Sequence, residues 1–209
     1  ANTSSGGRRV KVEKLQDYAS IEHRPRIVRI QKAEEETPTV KSITFRDDHC
    51  SKAKPGQFIM IWIPELDEIP MTLSLIGQDG TSGVTVRKRG EATNALCAMS
   101  KGDRIGVRGP YGAYFTVGEE TKLLLAGGGT GIAALAPLIE LPIMRRKDLT
   151  IVVGARTKTE LIYLNRFKVF HPAKRIRLIA TTDDGSYGVK GLASSIVNTL
   201  IEKDKFDMI

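Results

Sequence analysis

The sequence predicts two folded units in series: an antiparallel β-barrel, followed by a doubly wound α/β unit with a parallel sheet. In residues 23–117, short apolar–polar alternations are separated by turn residues, as in half-buried antiparallel strands. From residue 118 onward, strands alternate with helical segments, which is typical of βαβ units. A chain of 209 residues is long enough to bury two such cores.

The first unit is predicted to contain six strands and one short helix, at 93–99. The acidic run 34–36 with Pro38 predicts a turn, and Pro64 and Pro70 predict the two ends of a loop. Residues 1–22 precede the unit as an N-terminal extension whose polar start is typical of disorder. The six predicted strands are 26–31, 40–45, 57–63, 71–76, 83–88 and 103–107.

The second unit, residues 118–209, is predicted to begin at the polar segment Gly118-Glu119-Glu120. Pro137 and Pro142 fall within its first helix, where we expect one in an early turn and the other at a kink. A ligand is expected at the carboxyl ends of the parallel strands, facing the barrel. The predicted strands are 122–126, 150–154 and 175–181, and the helices are 132–146, 158–170 and 190–202.

A glycine-rich turn carries the clearest chemical signal. Residues 123–134 read LLLAGGGTGIAA, which predicts a buried strand, a turn and the start of a helix. The segment fits the G-x-G-x-x-A form of the dinucleotide fingerprint, in which backbone N–H groups and a helix N-terminus receive a pyrophosphate. A tight turn without a ligand is the alternative. The acidic residue that binds a ribose about 20 residues later is missing, because the next strand leads into Arg156.

Composition and charge restrict the class of protein. Hydrophobic residues make up 41% of the chain, and no apolar run reaches the roughly 20 residues that span a membrane. Cys50 and Cys97 are expected to be reduced thiols in a cytoplasmic protein, since two cysteines form neither a disulfide framework nor a metal site. The net charge of +8 allows nucleic-acid binding, although the charge is dispersed. The densest basic group is Arg8, Arg9, Lys11 and Lys14, and no metal-ligand spacing links His23, His49 and His171.

Six segments, taken in order, resemble one family of proteins. Their order resembles that of the ferredoxin reductase-like flavoproteins, and within these the closest resemblance is to the electron-transfer subunits of dihydroorotate dehydrogenase B. It covers the chain from about residue 24 to its end and implies a barrel that holds FAD and an α/β domain that holds NAD(P)H. The segments are IWIPELDEIPMTLSLI, VRKRGEATNAL, GVRGPYGAYF, LLLAGGGTGIA, VVGARTKTELIYLNRF and TTDDGSYGVKG.

The resemblance implies a flavin site on the barrel. In the family's Arg-x-(aromatic or aliphatic)-Ser motif, Ser74 matches the serine that hydrogen-bonds the flavin ring, and Leu73 matches the residue that packs on it. Met71 stands where the family has an arginine that pairs with the FAD phosphates. Arg87, next to Val86 on the adjacent strand, is expected to supply the lost cation.

The family's second flavin segment matches the loop before the short helix. Its amides and hydroxyl receive the pyrophosphate at a helix N-terminus. A plain N-cap is the alternative role of Thr93, and the two roles are compatible. The predicted FAD contacts are Met71, Thr72, Leu73, Ser74, Val86, Arg87, Gly90, Ala92 and Thr93.

The resemblance implies that NAD(P)H lies at the strand ends of the second unit. Arg156 can contact a 2′-phosphate, stack on adenine or pair with Glu160, and the sequence leaves these three roles open. The loop 183–188 lies beside the nucleotide in the family, while a polar turn at Asp184-Gly185 is the alternative. The predicted contacts are Gly127, Gly128, Gly129, Thr130, Gly131, Arg156 and Asp184.

The family also implies partners and a further cofactor. Its members carry a Cys-Gly-Pro segment after the last strand, and the electron-transfer subunits add a cysteine-rich tail with a [2Fe–2S] cluster. The present chain ends at residues 205–209 without these cysteines, so it is either a fragment or a relative that lacks the cluster. An end within a predicted strand favours the fragment. The predicted function is electron transfer between FAD and NAD(P)(H) for a catalytic dihydroorotate dehydrogenase subunit of pyrimidine biosynthesis, in a hetero-oligomer. The alternatives are another NAD(P)H:ferredoxin or flavin oxidoreductase, stand-alone or in a different complex, and a basic nucleic-acid-binding module.

Overall fold

A computed structural model describes residues 25–169 and 175–209. The predicted N-terminal extension with its basic group, His23 and His171 lie outside the described residues. Within them, no helix is both long and apolar enough to cross a membrane.

A closed six-stranded barrel forms the first part of the described chain. Its strands are β1 (Arg26–Thr37), β2 (Val40–Arg46), β3 (Phe58–Ile63), β4 (Asp67–Ile76), β5 (Thr81–Arg87) and β6 (Arg104–Tyr111). They lie in the spatial order β1-β2-β5-β4-β3-β6, and each neighbouring pair is antiparallel. Helix α1 (Glu91–Ala98) connects β5 to β6.

Alternate residues of the strands point into the barrel. In β3, Ile61 and Ile63 are buried in the core while the intervening Trp62 is exposed, as the two-residue period of a strand requires. Helix α1 joins this core through Leu96 and Cys97. The barrel therefore has its own hydrophobic core, as the alternation of its sequence predicts.

A four-stranded parallel sheet forms the second part. Its elements are β7 (Lys122–Gly128), α2 (Gly131–Ile139), β8 (Asp148–Ala155), α3 (Leu164–Lys168), β9 (Ile176–Thr182), β10 (Val189–Lys190) and α4 (Ala193–Lys203). The strand order is β10-β9-β8-β7. After its first residue, β8 is buried throughout, as expected of a strand covered on both faces. The predicted fold class, a barrel followed by an α/β unit with a parallel sheet, is confirmed.

The last residues pair with the other edge of β7. Met208 forms a parallel bridge with Leu123, and its carbonyl accepts a hydrogen bond from the N–H of Leu124 (3.0 Å). Strand β8 thus pairs with one edge of β7, and the segment at Met208 pairs with the opposite edge. The crevice at the carboxyl end of β7 is therefore the topological switch point, where open α/β sheets bind ligands.

Two predicted turns in the barrel are wrong. Strand β1 continues through the acidic run 34–36, because these residues pair with β2, with Glu35 opposite Lys41. Pro70 lies inside β4, opposite Met60, so that only a short turn at 64–66 separates β3 from β4. In both cases the pairing of neighbouring strands outweighs the local turn signal.

Two predicted helices are shorter than expected. Helix α2 ends at Ile139 with Pro137 inside it, and Pro142 begins a separate 3-10 helix, Pro142–Arg146, instead of kinking one long helix. The predicted helix 158–170 is replaced by a 3-10 turn at Lys158–Glu160 and the five-residue α3. Tyr163, between them, has φ +67°, which no right-handed helix contains.

Candidate functional site

The glycine turn between β7 and α2 is tightly packed on one side and open on the other. A Cβ added at Gly127 would lie 2.6 Å from the backbone of Ile132, so only glycine lets strand and helix pack this closely. At Gly128 and Gly131 an added Cβ would meet nothing within 4 Å. The backbone of the turn therefore borders an open space that side chains would fill.

The N-terminus of α2 faces the same open space. Its N-cap residue, Thr130, makes no side-chain capping hydrogen bond. The N–H of Gly129 donates to the carbonyl of Gly154 at the end of β8 (2.8 Å), which ties the turn to the carboxyl edge of the sheet. First-turn N–H groups lack intrahelical partners and carry partial positive charge, so this arrangement suits a pyrophosphate.

A groove of about 710 Å³ extends from the turn, between the barrel and the parallel sheet. One wall is the end of β5 with the loop that follows it, and the other is the carboxyl edge of β7 and β8 with the N-terminus of α4. The barrel wall includes Arg87, Lys88 and Arg89. The opposite wall includes Gly128, Gly129, Thr130, Arg156, Glu160, Asp183 and Ala193.

Three charged side chains form one ion-pair network in this groove. Glu160 accepts hydrogen bonds from Arg156 (3.0 and 2.5 Å) and from Arg87 of the barrel (3.2 Å). The hydrogen bond from Arg156, opposed by slight burial and supported by Arg87, holds the pKa of Glu160 below its usual value. Of the three roles that the sequence left open for Arg156, the pair with Glu160 is present.

The loop after β9 differs from the prediction in one residue. The carboxylate of Asp184 accepts hydrogen bonds from the N–H (2.9 Å) and hydroxyl (2.7 Å) of Ser186, which hold it in a polar turn. The neighbouring Asp183, not Asp184, lines the groove. The turn that the sequence offered as the alternative is therefore formed.

The N-terminus of α1 offers a second place for a phosphate. Gly90 is its N-cap, and a Cβ added there would meet nothing within 4 Å. The hydroxyl of Thr93 accepts from the N–H groups of Arg89 (2.9 Å) and Gly90 (3.0 Å) and donates to the Gly90 carbonyl (3.0 Å). Thr93 is thus not the N-cap itself. It reaches back to fix the loop, and its hydroxyl is already engaged there.

Four predicted flavin contacts belong to the barrel core or pack against it. Leu73 and Val86 are fully buried, and Met71 is partly exposed but packs on the same core, as does Ala92 of α1. The expectation that the Leu73 side chain packs on a flavin ring does not fit this placement, because no ligand outside the barrel reaches it. Leu73 and Val86 could therefore contribute to flavin binding only through their backbone N–H and C=O groups.

Arg87 does not replace a cation at Met71. Its guanidinium pairs with Glu160 of the second part and lies 3.7 Å from the position of a Cβ on Gly129. The side chain therefore extends over the glycine turn, although its backbone belongs to the barrel. The sequence placed Arg87 on the correct strand, but it predicted a cation beside Met71, whereas the guanidinium lies beside Glu160 and Gly129.

Ser74 belongs to a hydroxyl cluster that joins the barrel to the second part. It is 3% exposed, and its hydroxyl accepts a hydrogen bond from Thr85 (2.9 Å). Thr85 also hydrogen-bonds to the Tyr163 hydroxyl and to Ser42 (3.0 Å). Thr72, two residues before Ser74 on β4, is partly exposed. We name Ser42, Ser74, Thr85 and Tyr163 the hydroxyl cluster.

A larger cavity, of about 830 Å³, lies beside the hydroxyl cluster. It separates the outer faces of β1, β2, β4 and β5 from residues 158–168 and Tyr187. Arg166 at its wall hydrogen-bonds both carboxylate oxygens of Glu140 and the carbonyl of Ser74 (3.0 Å). The charges of Arg166 and Glu140 are thus compensated within the protein, in contrast to the open backbone of the glycine turn.

The two cysteines lie in the barrel core. Both are unpaired and buried, and burial raises the pKa of each thiol. Within residues 25–169 and 175–209, no group of three or more His, Cys, Asp and Glu side chains could hold a metal ion. A [2Fe–2S] cluster takes four ligands, in most proteins cysteines, so the residues of this chain do not fit one.

Several curated relatives of this chain are named as probable electron transfer subunits. The chain is 40% identical over 187 residues to the probable dihydroorotate dehydrogenase B (NAD(+)), electron transfer subunit, of Methanocaldococcus jannaschii, which covers 89% of this chain and 67% of that protein. The protein of the same name from Thermococcus kodakarensis is 32% identical, over 88% of this chain and 72% of its own length. The chain spans about two thirds of the length of these relatives. No protein-family model matches it.

Solved structures share the fold. An NADH-dependent reduced ferredoxin-NADP oxidoreductase, studied for flavin-based electron bifurcation, has a TM-score of 0.76 and 30% identity over 86% of this chain and 65% of its own. A ferredoxin NADP+ reductase from Neisseria gonorrhoeae with bound FAD and NADP has a TM-score of 0.73 and 19% identity, over 86% of this chain and 78% of its own. The predicted ferredoxin reductase-like fold is confirmed.

Proposed function

The chain belongs to the family of electron transfer subunits of dihydroorotate dehydrogenase B, and we propose that it passes electrons between FAD and a nicotinamide dinucleotide for a partner subunit. The observation that carries the proposal is the open glycine turn 127–131, which faces a basic wall of the barrel across a groove. A dinucleotide that lies in this groove touches both parts of the chain.

The residues at the glycine turn fit a dinucleotide pyrophosphate. Gly128 and Gly131 leave the backbone open, and the N-terminus of α2 supplies N–H groups without a side-chain cap. Arg87 extends over Gly129 from the barrel and adds a cation. These groups would bind the pyrophosphate and hold the dinucleotide at the switch point of the sheet.

The residues before α1 fit the phosphates of FAD. Gly90 leaves the loop backbone open, Lys88 and Arg89 precede it, and Thr93 fixes the loop by three hydrogen bonds. Met71 carries no charge, so in this chain the phosphate contacts depend on the loop and the helix N-terminus. Thr72, partly exposed on β4, is the hydroxyl that we assign to the flavin in place of the buried Ser74.

The cofactors supply the chemistry of hydride and electron transfer when both are bound. The chain contributes binding and orientation. Its ion pair between Arg87 and Glu160 and its hydroxyl cluster hold the barrel and the parallel sheet in one arrangement. The proposed reaction requires no protein general acid or base.

The proposed partner follows from the names of the relatives. These name a dihydroorotate dehydrogenase and NAD(+), so we propose a hetero-oligomer with a catalytic subunit that oxidises dihydroorotate for pyrimidine biosynthesis, and NAD rather than NADP. A cytoplasmic location stays a prediction. An oxidoreductase with a different partner is the second candidate, favoured by the 30% identity to the NADH-dependent reduced ferredoxin-NADP oxidoreductase. The family membership favours both over nucleic-acid binding.

The test is a visible spectrum of purified protein after incubation with FAD and removal of free flavin. We expect flavin absorption bands that bleach on addition of NADH without oxygen. Copurification with a catalytic dihydroorotate dehydrogenase subunit, and reduction of the bound flavin by dihydroorotate only in its presence, would support the proposed partner. A protein that retains no flavin at micromolar FAD would contradict the proposal.

A further inference from the structure

Glu160 connects two arginines that come from different parts of the chain. Both of its carboxylate oxygens accept hydrogen bonds from the fork of Arg156, at 3.0 and 2.5 Å, and one of them also accepts from Arg87 at 3.2 Å. The Arg156 side chain is 72% exposed at the groove, whereas those of Glu160 and Arg87 are 21% and 20% exposed. The carboxylate is thus the inner member of the network.

We propose that Glu160 is a specificity-determining residue that makes the groove select the dinucleotide without a 2′-phosphate. The inference rests on the proposed function, since it concerns the same groove. The Glu160 carboxylate occupies the place that the 2′-phosphate of NADPH would take, so NADH binds and NADPH is disfavoured.

The first reason is that the Nε–Nη2 fork of Arg156 is already paired with Glu160. A fork-to-fork pair uses the two parallel N–H groups that would otherwise bind a phosphate. A 2′-phosphate at Arg156 would have to displace Glu160, or bind beside its negative charge. Either alternative weakens binding of the phosphorylated dinucleotide and leaves the other unaffected.

The second reason is that Glu160 stands at the position of a ribose-binding acid. In dinucleotide domains, an acidic residue after the second strand accepts a hydrogen bond from the ribose 2′-hydroxyl. Glu160 follows β8, the second strand of this sheet, and lines the groove together with Gly128 and Gly129. The sequence shows no acid at the expected spacing, and the 3-10 turn Lys158–Glu160 brings this later carboxylate back to the groove.

Arg87 adds a connection to the barrel. Its bond to Glu160 keeps the carboxylate beside the glycine turn, so the selecting charge is held by both walls of the groove. Removal of the carboxylate would free two cations at once. We therefore expect tighter binding of any phosphate there, and the quantity that isolates selectivity is the ratio of the two dinucleotide affinities.

The experiment measures dissociation constants of NADH and NADPH by calorimetry without oxygen, on FAD-loaded protein whose flavin has first been reduced with dithionite, so that neither dinucleotide can transfer hydride to it. We expect the wild type to prefer NADH by at least tenfold. In Glu160→Gln, NADPH should bind at least tenfold tighter than in the wild type, so that the preference is lost or reversed. Adding Arg156→Ala to Glu160→Gln should remove that gain. Glu119→Gln, which removes an exposed carboxylate outside the groove lining, should leave both constants unchanged.

Glu160→Asp tests whether the position of the carboxylate matters as well as its charge. It keeps the carboxylate but shortens it, so we expect a preference for NADH between those of the wild type and Glu160→Gln. A Glu160→Gln protein that keeps the wild-type NADH to NADPH ratio would overturn the inference while leaving the proposed function intact. A wild type that binds FAD but neither dinucleotide would overturn both.

Discussion

Arg166 donates a hydrogen bond to the main-chain carbonyl of Ser74 at 3.0 Å and thereby joins the second part of the chain to strand β4 of the barrel. The same guanidinium pairs with both carboxylate oxygens of Glu140 and lies 4.7 Å from the ring centroid of Tyr163. One side chain therefore connects α2, α3 and the barrel. Hydrogen bonding to Glu140 raises the pKa of Arg166 against the opposing effect of its burial, so it stays charged.

Replacing Arg166 should weaken the contact between the two parts. In Arg166→Met, Glu140 loses its partner in a region where both side chains are about three-quarters buried. We expect the free energy of unfolding to fall by about 1–3 kcal/mol, less than for a fully buried pair. Urea titration measures the change. Arg166→Lys, which keeps the charge but not the fork, should lose less, and a loss equal to that of Arg166→Met would contradict a contribution from the charge.

Tyr163 and Thr85 should be energetically coupled. Their hydroxyls hydrogen-bond across the two parts of the chain, and Tyr163 holds a left-handed backbone conformation there, with φ +67°. We expect Tyr163→Phe and Thr85→Val each to cost about 1 kcal/mol of stability. The double variant should cost less than the sum of the two, because both remove the same bond. Strict additivity in a double-mutant cycle would show that the bond contributes nothing.

Two glycines of one turn should respond in opposite ways to the same substitution. In Gly127→Ala the new methyl group would lie 2.6 Å from the Ile132 backbone, so α2 must shift, at a cost of about 1–3 kcal/mol. In Gly131→Ala it meets nothing within 4 Å, so the melting temperature should change little. There the methyl group enters the proposed pyrophosphate site, and we expect NADH affinity to fall at least tenfold. Unchanged NADH affinity in Gly131→Ala would place the dinucleotide elsewhere.

The pH dependence of stability should report on Asp47 and Arg26. Burial raises the pKa of Asp47, but hydrogen bonds from Arg26 and from the N–H of Cys50 outweigh it, so the pKa lies below the usual 3.8. Because the pKa is lower in the folded than in the unfolded state, the carboxylate stabilises the fold fully above about pH 5. This contribution is lost as the pH falls through and below 3.8.

Asp47→Asn tests this dependence. We expect it to lower the free energy of unfolding at pH 7 by about 2–4 kcal/mol, since it leaves Arg26 without its charged partner. The difference from the wild type should shrink between pH 5 and pH 3 in urea titrations. A difference that stays constant over this range would mean that Asp47 does not titrate with a lowered pKa.

The elements that the sequence predicted correctly are those decided locally. The turn at Gly127–Gly131 needs glycine for backbone reasons that the sequence expresses directly, and the buried run of β8 has one explanation in a parallel sheet. The errors arose where distant residues decide. Pro70 stays in β4 because β3 pairs with it, and the helix predicted at 158–170 is interrupted where the Tyr163 hydroxyl bonds to the barrel.

The same distinction explains the candidate site. Gly90 and the glycine turn are open in the structure, as expected of positions that bind through the backbone. The side-chain roles of Leu73 and Arg87 depended on which way each residue faces, and a one-residue difference along a strand reverses that direction. The place of Glu160 in the groove could not be predicted from its spacing along the sequence, because a 3-10 turn brings it there.

The two hydroxyl residues of β4 should separate flavin binding from stability. Ser74 is buried, and its oxygen accepts the hydrogen bond of Thr85, whereas Thr72 is partly exposed. We expect Thr72→Val to weaken FAD binding several-fold and to shift the flavin spectrum, with an unchanged melting temperature. Ser74→Ala should cost about 1 kcal/mol of stability through the lost hydrogen bond from Thr85 and leave FAD affinity unchanged. Flavin titration and thermal unfolding of both variants test this assignment. Weaker FAD binding in Ser74→Ala, with unchanged FAD binding in Thr72→Val, would show that Ser74 makes the flavin contact.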